Sequence, residues 1–287
     1  MTNYFYCALQ RLQLVALALI CAATNAYGFG GYVSPSRFEL AGKPGQVISN
    51  VLEIGNDELS AASYKIYSAD WTLDASGAVL FDESAPTAAS CRPWLRLERR
   101  QLKLGARGTR KLRFEVHVPA DTKPMLCRFA LMIDDDTDGA TDVKIGNIQL
   151  PVAGRIGVVV YVAVGDVKAN IEIQSIASET YQSRFMPVAT VRNSGTLHAR
   201  LEGTLEGRDA TGQSIDFAVA TLPILPGETR KLPIWPNEDS KGKPPTVNYP
   251  LRLSGVIEWL GGKFKVDTTL APAPASAAIK LAAPKLP

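Results

Sequence analysis

Apolar and polar residues alternate along most of this chain in short runs, such as Val51-Leu52-Glu53-Ile54, Tyr64-Lys65-Ile66-Tyr67 and Lys111-Leu112-Arg113-Phe114-Glu115-Val116. Turn-forming clusters punctuate the runs: Gly42-Lys43-Pro44-Gly45, Asn56-Asp57, Asp74-Ala75-Ser76-Gly77 and Gly105-Ala106-Arg107-Gly108. A period of two, interrupted every ~8–12 residues, predicts antiparallel strands of a β-sandwich. From Tyr32 to Val164 no stretch sustains a helical period. After Gly165-Asp166 the pattern restarts, with Val188–Arg192 leading into Asn193-Ser194-Gly195 and with Leu251–Trp259 and Lys263–Leu270 reading as a closing hairpin. The pattern therefore predicts an all-β protein of two sandwich domains in tandem, residues 27–165 and 166–270.

The two ends of the chain break this pattern. In residues 1–26 a weak positive flank, Arg11, precedes the apolar stretch Leu12–Ala23, and Thr24-Asn25-Ala26 supplies the small residues a signal peptidase needs. This reads as a cleaved signal peptide, too short for the ~20 apolar residues of a spanning helix. No membrane span is expected after cleavage. Ala271–Pro287 contains only Ala, Pro, Ser, Lys, Ile and Leu, and reads as a flexible tail.

Export changes the meaning of the cysteines. Cys7 and Cys21 leave with the signal, so the mature chain keeps Cys91 and Cys127. In an oxidising compartment such a pair is a disulfide candidate, and two small buried hydrophobes in neighbouring strands is the other reading. The net charge of +3, with no Lys/Arg run, gives no support for nucleic-acid binding. With two histidines in the chain, and no nucleophile elbow, phosphate-binding loop or zinc-protease motif, no enzymatic activity and no cofactor are expected.

Several stretches, in order, resemble the PapD-like periplasmic pilus-assembly chaperones. They are Ser36-Arg37-Phe38-Glu39-Leu40-Ala41-Gly42, Val51-Leu52-Glu53-Ile54-Gly55-Asn56, Ala69-Asp70-Trp71, Pro93-Trp94-Leu95-Arg96-Leu97 with Leu104–Arg113, and Asn147-Ile148-Gln149-Leu150-Pro151-Val152. The similarity covers about residues 33–164. It implies two immunoglobulin-like β-sandwiches and a periplasmic chaperone that lends an edge strand to fimbrial or related surface subunits, handing them to an outer-membrane usher. Ile148, Leu150 and Val152, spaced by two, fit the lent face. The same spacing fits a strand that fills its own core. Pro151 lacks a ladder donor, which agrees with an edge strand and would also cost a client one bond.

The resemblance also implies a pair of cations that grip the client's terminal carboxylate. Arg37 falls on the first cation position. The second, a lysine in the family, falls on Gly157, and Arg155 two residues earlier is the substitute on the same face. Solvated strand-end arginines are the plainer reading of both. The second domain resembles generic bacterial immunoglobulin-like surface domains, which keeps a non-chaperone envelope adhesion or scaffold protein as the alternative.

Asp134-Asp135-Asp136-Thr137-Asp138-Gly139 matches the opening half of a calcium loop, with Asp134, Asp136 and Asp138 as candidate ligands. Ile145 stands where the bidentate Glu belongs, so a solvated loop is expected and no metal. His117 and His198 have no ligand cluster in sequence, and Trp71, Trp94, Trp235 and Trp259 are expected in cores.

Overall fold

The computed structural model describes residues 29–136, 141–145, 148–152, 154–238 and 242–272, with 141–145 and 148–152 described by backbone alone. The signal-peptide segment, the tail beyond Pro272, and Asp138 lie outside the described residues.

Strands β1 (Gly31–Ser34), β2 (Arg37–Gly42), β3 (Val47–Asn56), β4 (Ala62–Leu73), β5 (Val79–Asp82), β6 (Leu95–Leu97), β7 (Gln101–Leu104), β8 (Thr109–His117), β9 (Met125–Asp135), β10 (Thr141–Ile145), β11 (Ile148–Val152) and β12 (Arg155–Val164) build the first unit. One sheet runs β1-β3-β8-β6, and the facing sheet runs β2-β12-β9-β4-β5 with β7 also on β4. The chain changes sheets between β1, which pairs β3, and β2, which pairs β12 in parallel. Alternation works as expected: Leu52, Ile54, Leu112, Phe114 and Val116 from one sheet meet Tyr64, Ile66, Phe129, Leu131, Val158 and Val160 from the other.

Two strands depart from simple alternation. In β9 and β12 the runs Phe129–Ile133 and Val158–Val162 are apolar on both faces. Their second face joins Ala69, Trp71, Ala130, Met132 and Tyr161 in a cluster that includes Leu225 of the second unit. A sheet covered on both sides needs continuous apolar runs, and the second unit provides that cover.

Strands β13 (Ile171–Tyr181), β14 (Arg184–Asn193), β15 (Thr204–Arg208), β16 (Ser214–Val219), β17 (Thr229–Pro236), β18 (Leu251–Trp259) and β19 (Gly262–Leu270) form one seven-stranded sheet, β13-β14-β17-β16-β15-β18-β19. The sheet curls about a core of Leu201, Leu205, Phe217, Leu232, Ile234 and Leu253, and its end strands β13 and β19 approach each other. All-β architecture with two sandwich-type units is thus the observed fold. The described helical structure is one turn at Arg92–Trp94, and among the described residues no helix is long and apolar enough to cross a membrane.

Each unit carries a buried asparagine at a strand end. The Asn56 side chain donates to the Ser60 and Gly105 carbonyls and accepts from the Glu58 N–H. Asn193 donates to the Leu197 and Ile224 carbonyls and accepts from the Gly195 and Asn170 N–H groups. Both fasten a turn to the end of its strand, consistent with the Asn-rich turn signals. Cys91 and Cys127 are joined in a disulfide with Cα atoms 5.5 Å apart, resolving the two readings of that pair. The aromatic expectation holds least well. Trp71 is buried, but on the outer face of its sheet, while Trp94, Trp235 and Trp259 are half-buried.

Candidate functional site: a two-stranded ribbon and a cleft between the units

Strands β9 and β12 pair antiparallel as far as Arg155 opposite Asp134. Past that point β10 and β11 continue as a separate two-stranded ribbon, with Ile145 opposite Ile148 and Thr141 opposite Val152. Strand β2 begins its pairing with β12 only at Val159, opposite Arg37. Among the described residues, β11 therefore pairs on one side only, with β10, and Arg155–Val158 pairs on one side only, with β9. In sequence Ile148, Leu150 and Val152 are in phase with Ile156, Val158 and Val160, the face that fills the sandwich core lower in the strand. The side chains of those three lie outside the described residues.

The cleft lies where the outer face of β2 and β12 meets the second unit. It encloses about 650 Å³, lined on one wall by Glu39, Leu126, Tyr161 and Ala163 and on the other by Leu197, His198, Arg200 and Trp259. Alternation in β2 sends Phe38 and Leu40 into the core and leaves Arg37 and Glu39 on the other face. A polar chain crosses this wall: Arg37 Nε lies 3.1 Å from Glu39 Oε1, and Glu39 Oε2 lies 3.0 Å from His198 Nε2. The His198 ring stacks on Tyr161 at 4.0 Å, with the planes 19° apart. Arg200 donates from Nη2 to the Tyr161 hydroxyl at 3.2 Å and from Nη1 to the Thr221 carbonyl at 2.9 Å, while its buried Nε has no partner among the described residues.

Burial lowers the Arg200 pKa from its ordinary value, and the Arg37 charge adds to that lowering. Burial pushes the Tyr161 hydroxyl up to about 12, so it stays neutral while it accepts from Arg200. The Arg200 guanidinium is thus within electrostatic range of Arg37, and the carboxylates of Glu39, Glu202 and Glu258 line the same cleft. A guanidinium can hold a carboxylate, each charge-assisted bond being stronger than a neutral one.

Of the two cations expected from sequence, Arg37 borders this cleft through its ion pair with Glu39, which lines it. Arg155 stands four residues up β12 from the point facing Arg37, roughly 13 Å at ~3.3 Å per residue. Its guanidinium is held by Asp134 at 2.9 Å and Glu83 at 3.2 Å, and lies 5.9 Å over the Tyr67 ring. Arg155 is thus paired in a local network apart from Arg37. Gly157 is explained as well: a Cβ there would meet Phe81 Cζ at 2.1 Å, so a ring occupies the space a longer side chain would need. Arg200, which lines the cleft, comes from the other unit. A single Arg between Ala199 and Leu201 carries no sequence signal for this.

Of the three candidate calcium ligands, Asp134 and Asp136 are described and Asp138 is not. Asp134 is taken by Arg155 and by the Tyr67 hydroxyl at 2.9 Å, and Asp136 accepts from Gln101 at 3.1 Å. Among the described residues no group of three metal-ligating side chains converges. His117 pairs with Glu115 at 2.8 Å on the surface, far from His198 in role.

No family model matches the chain, and no curated protein matches it in sequence. Solved structures do match in shape. A chain of the Salmonella enterica SafA pilin–SafB chaperone complex is similar over 85% of this chain and 98% of its own, at 12% identity and a TM-score of 0.47. The YadV chaperone is similar over 84% of this chain and 100% of its own, at 12% identity and a TM-score of 0.45. A Porphyromonas gingivalis protein of unknown function is similar over 85% and 100%, at 13% identity and a TM-score of 0.33.

Proposed function

We propose that this protein is an exported, periplasmic chaperone that completes the unfinished β-sandwich of fimbrial or related surface subunits and delivers them to an outer-membrane assembly site, the usher. The observation that carries this reading is the ribbon. Its outer strand, β11, pairs with β10 and with no other described strand, and it runs on into the one-sided stretch Arg155–Val158 of β12. An unpaired row of N–H and C=O groups invites another chain's strand, and proteins normally blunt or cover such an edge. A client strand added there gains main-chain hydrogen bonds along β11 and register from side chains at every second position, Ile148, Leu150 and Val152.

The cleft supplies the second part. A client's terminal carboxylate fits between Arg37 and Arg200, exchanging with Glu39 for the Arg37 guanidinium. Glu39 acts meanwhile as an internal stand-in that keeps Arg37 paired.

The test begins with purification from the envelope and mass spectrometry of the co-eluting subunit. Amide exchange of the complex should then show new protection over 148–152 and 155–158. Ile148→Asp with Leu150→Asp should weaken the complex about a hundredfold or more, since two carboxylates would be buried without partners. Arg37→Ala should weaken it about tenfold, with Arg200→Ala similar. A complex that forms without protection at β11, or that survives the double Asp variant, overturns strand lending and leaves an envelope scaffold. An Arg37→Ala variant that binds as tightly as wild type removes the carboxylate site alone.

A further inference from the structure

The second unit holds a groove that the proposed chaperone activity does not use. It measures about 760 Å³ and is walled by Phe185, Pro187, Trp235, Pro236, Val247 and Tyr249. The Phe185 and Tyr249 rings pack edge to face, 5.0 Å apart at 65°. Trp235 and Tyr249 are only half-buried, so both present ring surface toward the groove. Polar residues Glu238 and Arg184 complete the lining.

Aromatic and proline walls are the chemistry that recognises proline-rich chain in the polyproline II form. That form binds with little loss of conformational freedom because proline fixes its backbone beforehand. Pro244 and Pro245 already line the groove, and a second proline-containing segment begins close to it, after strand β19. Strand β19 ends at Leu270, paired with Leu251, two residues from Tyr249 on the groove wall. At ~4.8 Å between strands and ~3.3 Å per residue, the segment Ala271–Pro287 leaves within about 12 Å of Tyr249. It carries Pro272, Pro274, Pro284 and Pro287, with Lys280 and Lys285 and no carboxylate side chain. Its fifteen residues beyond Pro272 reach about 45 Å as polyproline II, several times what the groove requires.

We infer that the Pro/Ala/Lys segment beginning at Ala271 docks on its own chain, in the groove walled by Phe185, Trp235 and Tyr249. The alternating Ala271-Pro272-Ala273-Pro274 stretch seats prolines against the rings, and a following lysine pairs with Glu238. The docked segment covers the aromatic wall and keeps it from acting as a sticky patch in a protein that already exposes a strand edge.

The experiment uses the full mature chain with Ala277→Cys labelled by bimane, a dye that tryptophan quenches on contact. The label should lose most of its emission, Trp235→Phe should restore it, and dilution should leave the quenching unchanged. Full emission in the parent, or quenching that Trp235→Phe does not relieve, overturns the inference. Quenching that fades on dilution also overturns it, because the occupant is then a second copy's segment. Pro272→Gly with Pro274→Gly lies outside the folded strands, so it serves if Trp235→Phe unfolds. It should release the label, and retained quenching would rule out polyproline docking. This result is independent of subunit binding, which the groove does not touch.

Discussion

The second unit curls seven strands about one core until β13 and β19 approach, whereas the first unit sends β10 and β11 out past its six-stranded sheet as a ribbon paired only with itself among the described strands. Both units are built from the same alternating pattern, both are antiparallel in nearly every pairing, and both fasten a turn with a buried asparagine. The contrast shows that alternation specifies a strand with two different faces and says nothing about its edges. Edge pairing is decided by which strands end where. In the first unit β2 begins too far along β12 to cover Arg155–Val158, and function is proposed where that cover stops.

The disulfide gives the largest way to separate the two units. It closes a 36-residue loop wholly within the first unit. Cys91→Ala with Cys127→Ala should cost about 4 kcal/mol there, from the freed entropy of the unfolded chain. Two calorimetric transitions should then appear, with the one belonging to the second unit little moved. A single transition shifted as a whole would show that the shared cluster of Trp71, Tyr161 and Leu225 welds the units into one cooperative body.

The paired asparagines sharpen the comparison at the next scale. Asn193→Ala leaves two carbonyls and two N–H groups without their partner, against two and one for Asn56→Ala. Each should cost about 2–4 kcal/mol, with Asn193 the larger, read from denaturant midpoints. Equal or reversed costs would mean that water replaces the partner at one site and not at the other.

The smallest effect concerns acid. The Thr211 hydroxyl, and next the Asn248 side chain, hold the Asp209 carboxyl well below the usual carboxylate range. Its contribution is full above the ordinary carboxylate pKa of about 4 and is lost as pH falls toward the lower folded value, because the unfolded chain takes up the proton first. Stability of the second unit should therefore fall with pH in that window, and Asp209→Asn should flatten the slope. An unchanged slope in the variant would assign the acid sensitivity to other groups.

Much of the architecture was legible from residues alone. The two-residue period gave the strands and Asn56 and Asn193 the turn ends, while Cys91 and Cys127 were a disulfide candidate beside a second reading as buried hydrophobes. Arg37 was named through the resemblance of Ser36–Gly42 to a family's first strand, and it is the first residue of β2. Arg200, Tyr161 and His198 were not legible, because each is a single polar or aromatic residue in ordinary strand or loop sequence. Their joint role exists only because His198 and Arg200 of one unit are laid against Tyr161 and Glu39 of the other.

By itself, then, the sequence determined what local physics can write into neighbouring residues: which positions face a core, where the chain turns, and which two cysteines are candidates to pair. The tertiary structure alone decided the rest. Arg155 went to Asp134 and Glu83, Gly157 went under Phe81, and Arg200 of one unit came to the Tyr161 hydroxyl of the other. Spacing along a strand fixes which side a residue takes, but its charge partners come from strands distant in sequence, and only the folded packing of those strands brings them within bonding distance.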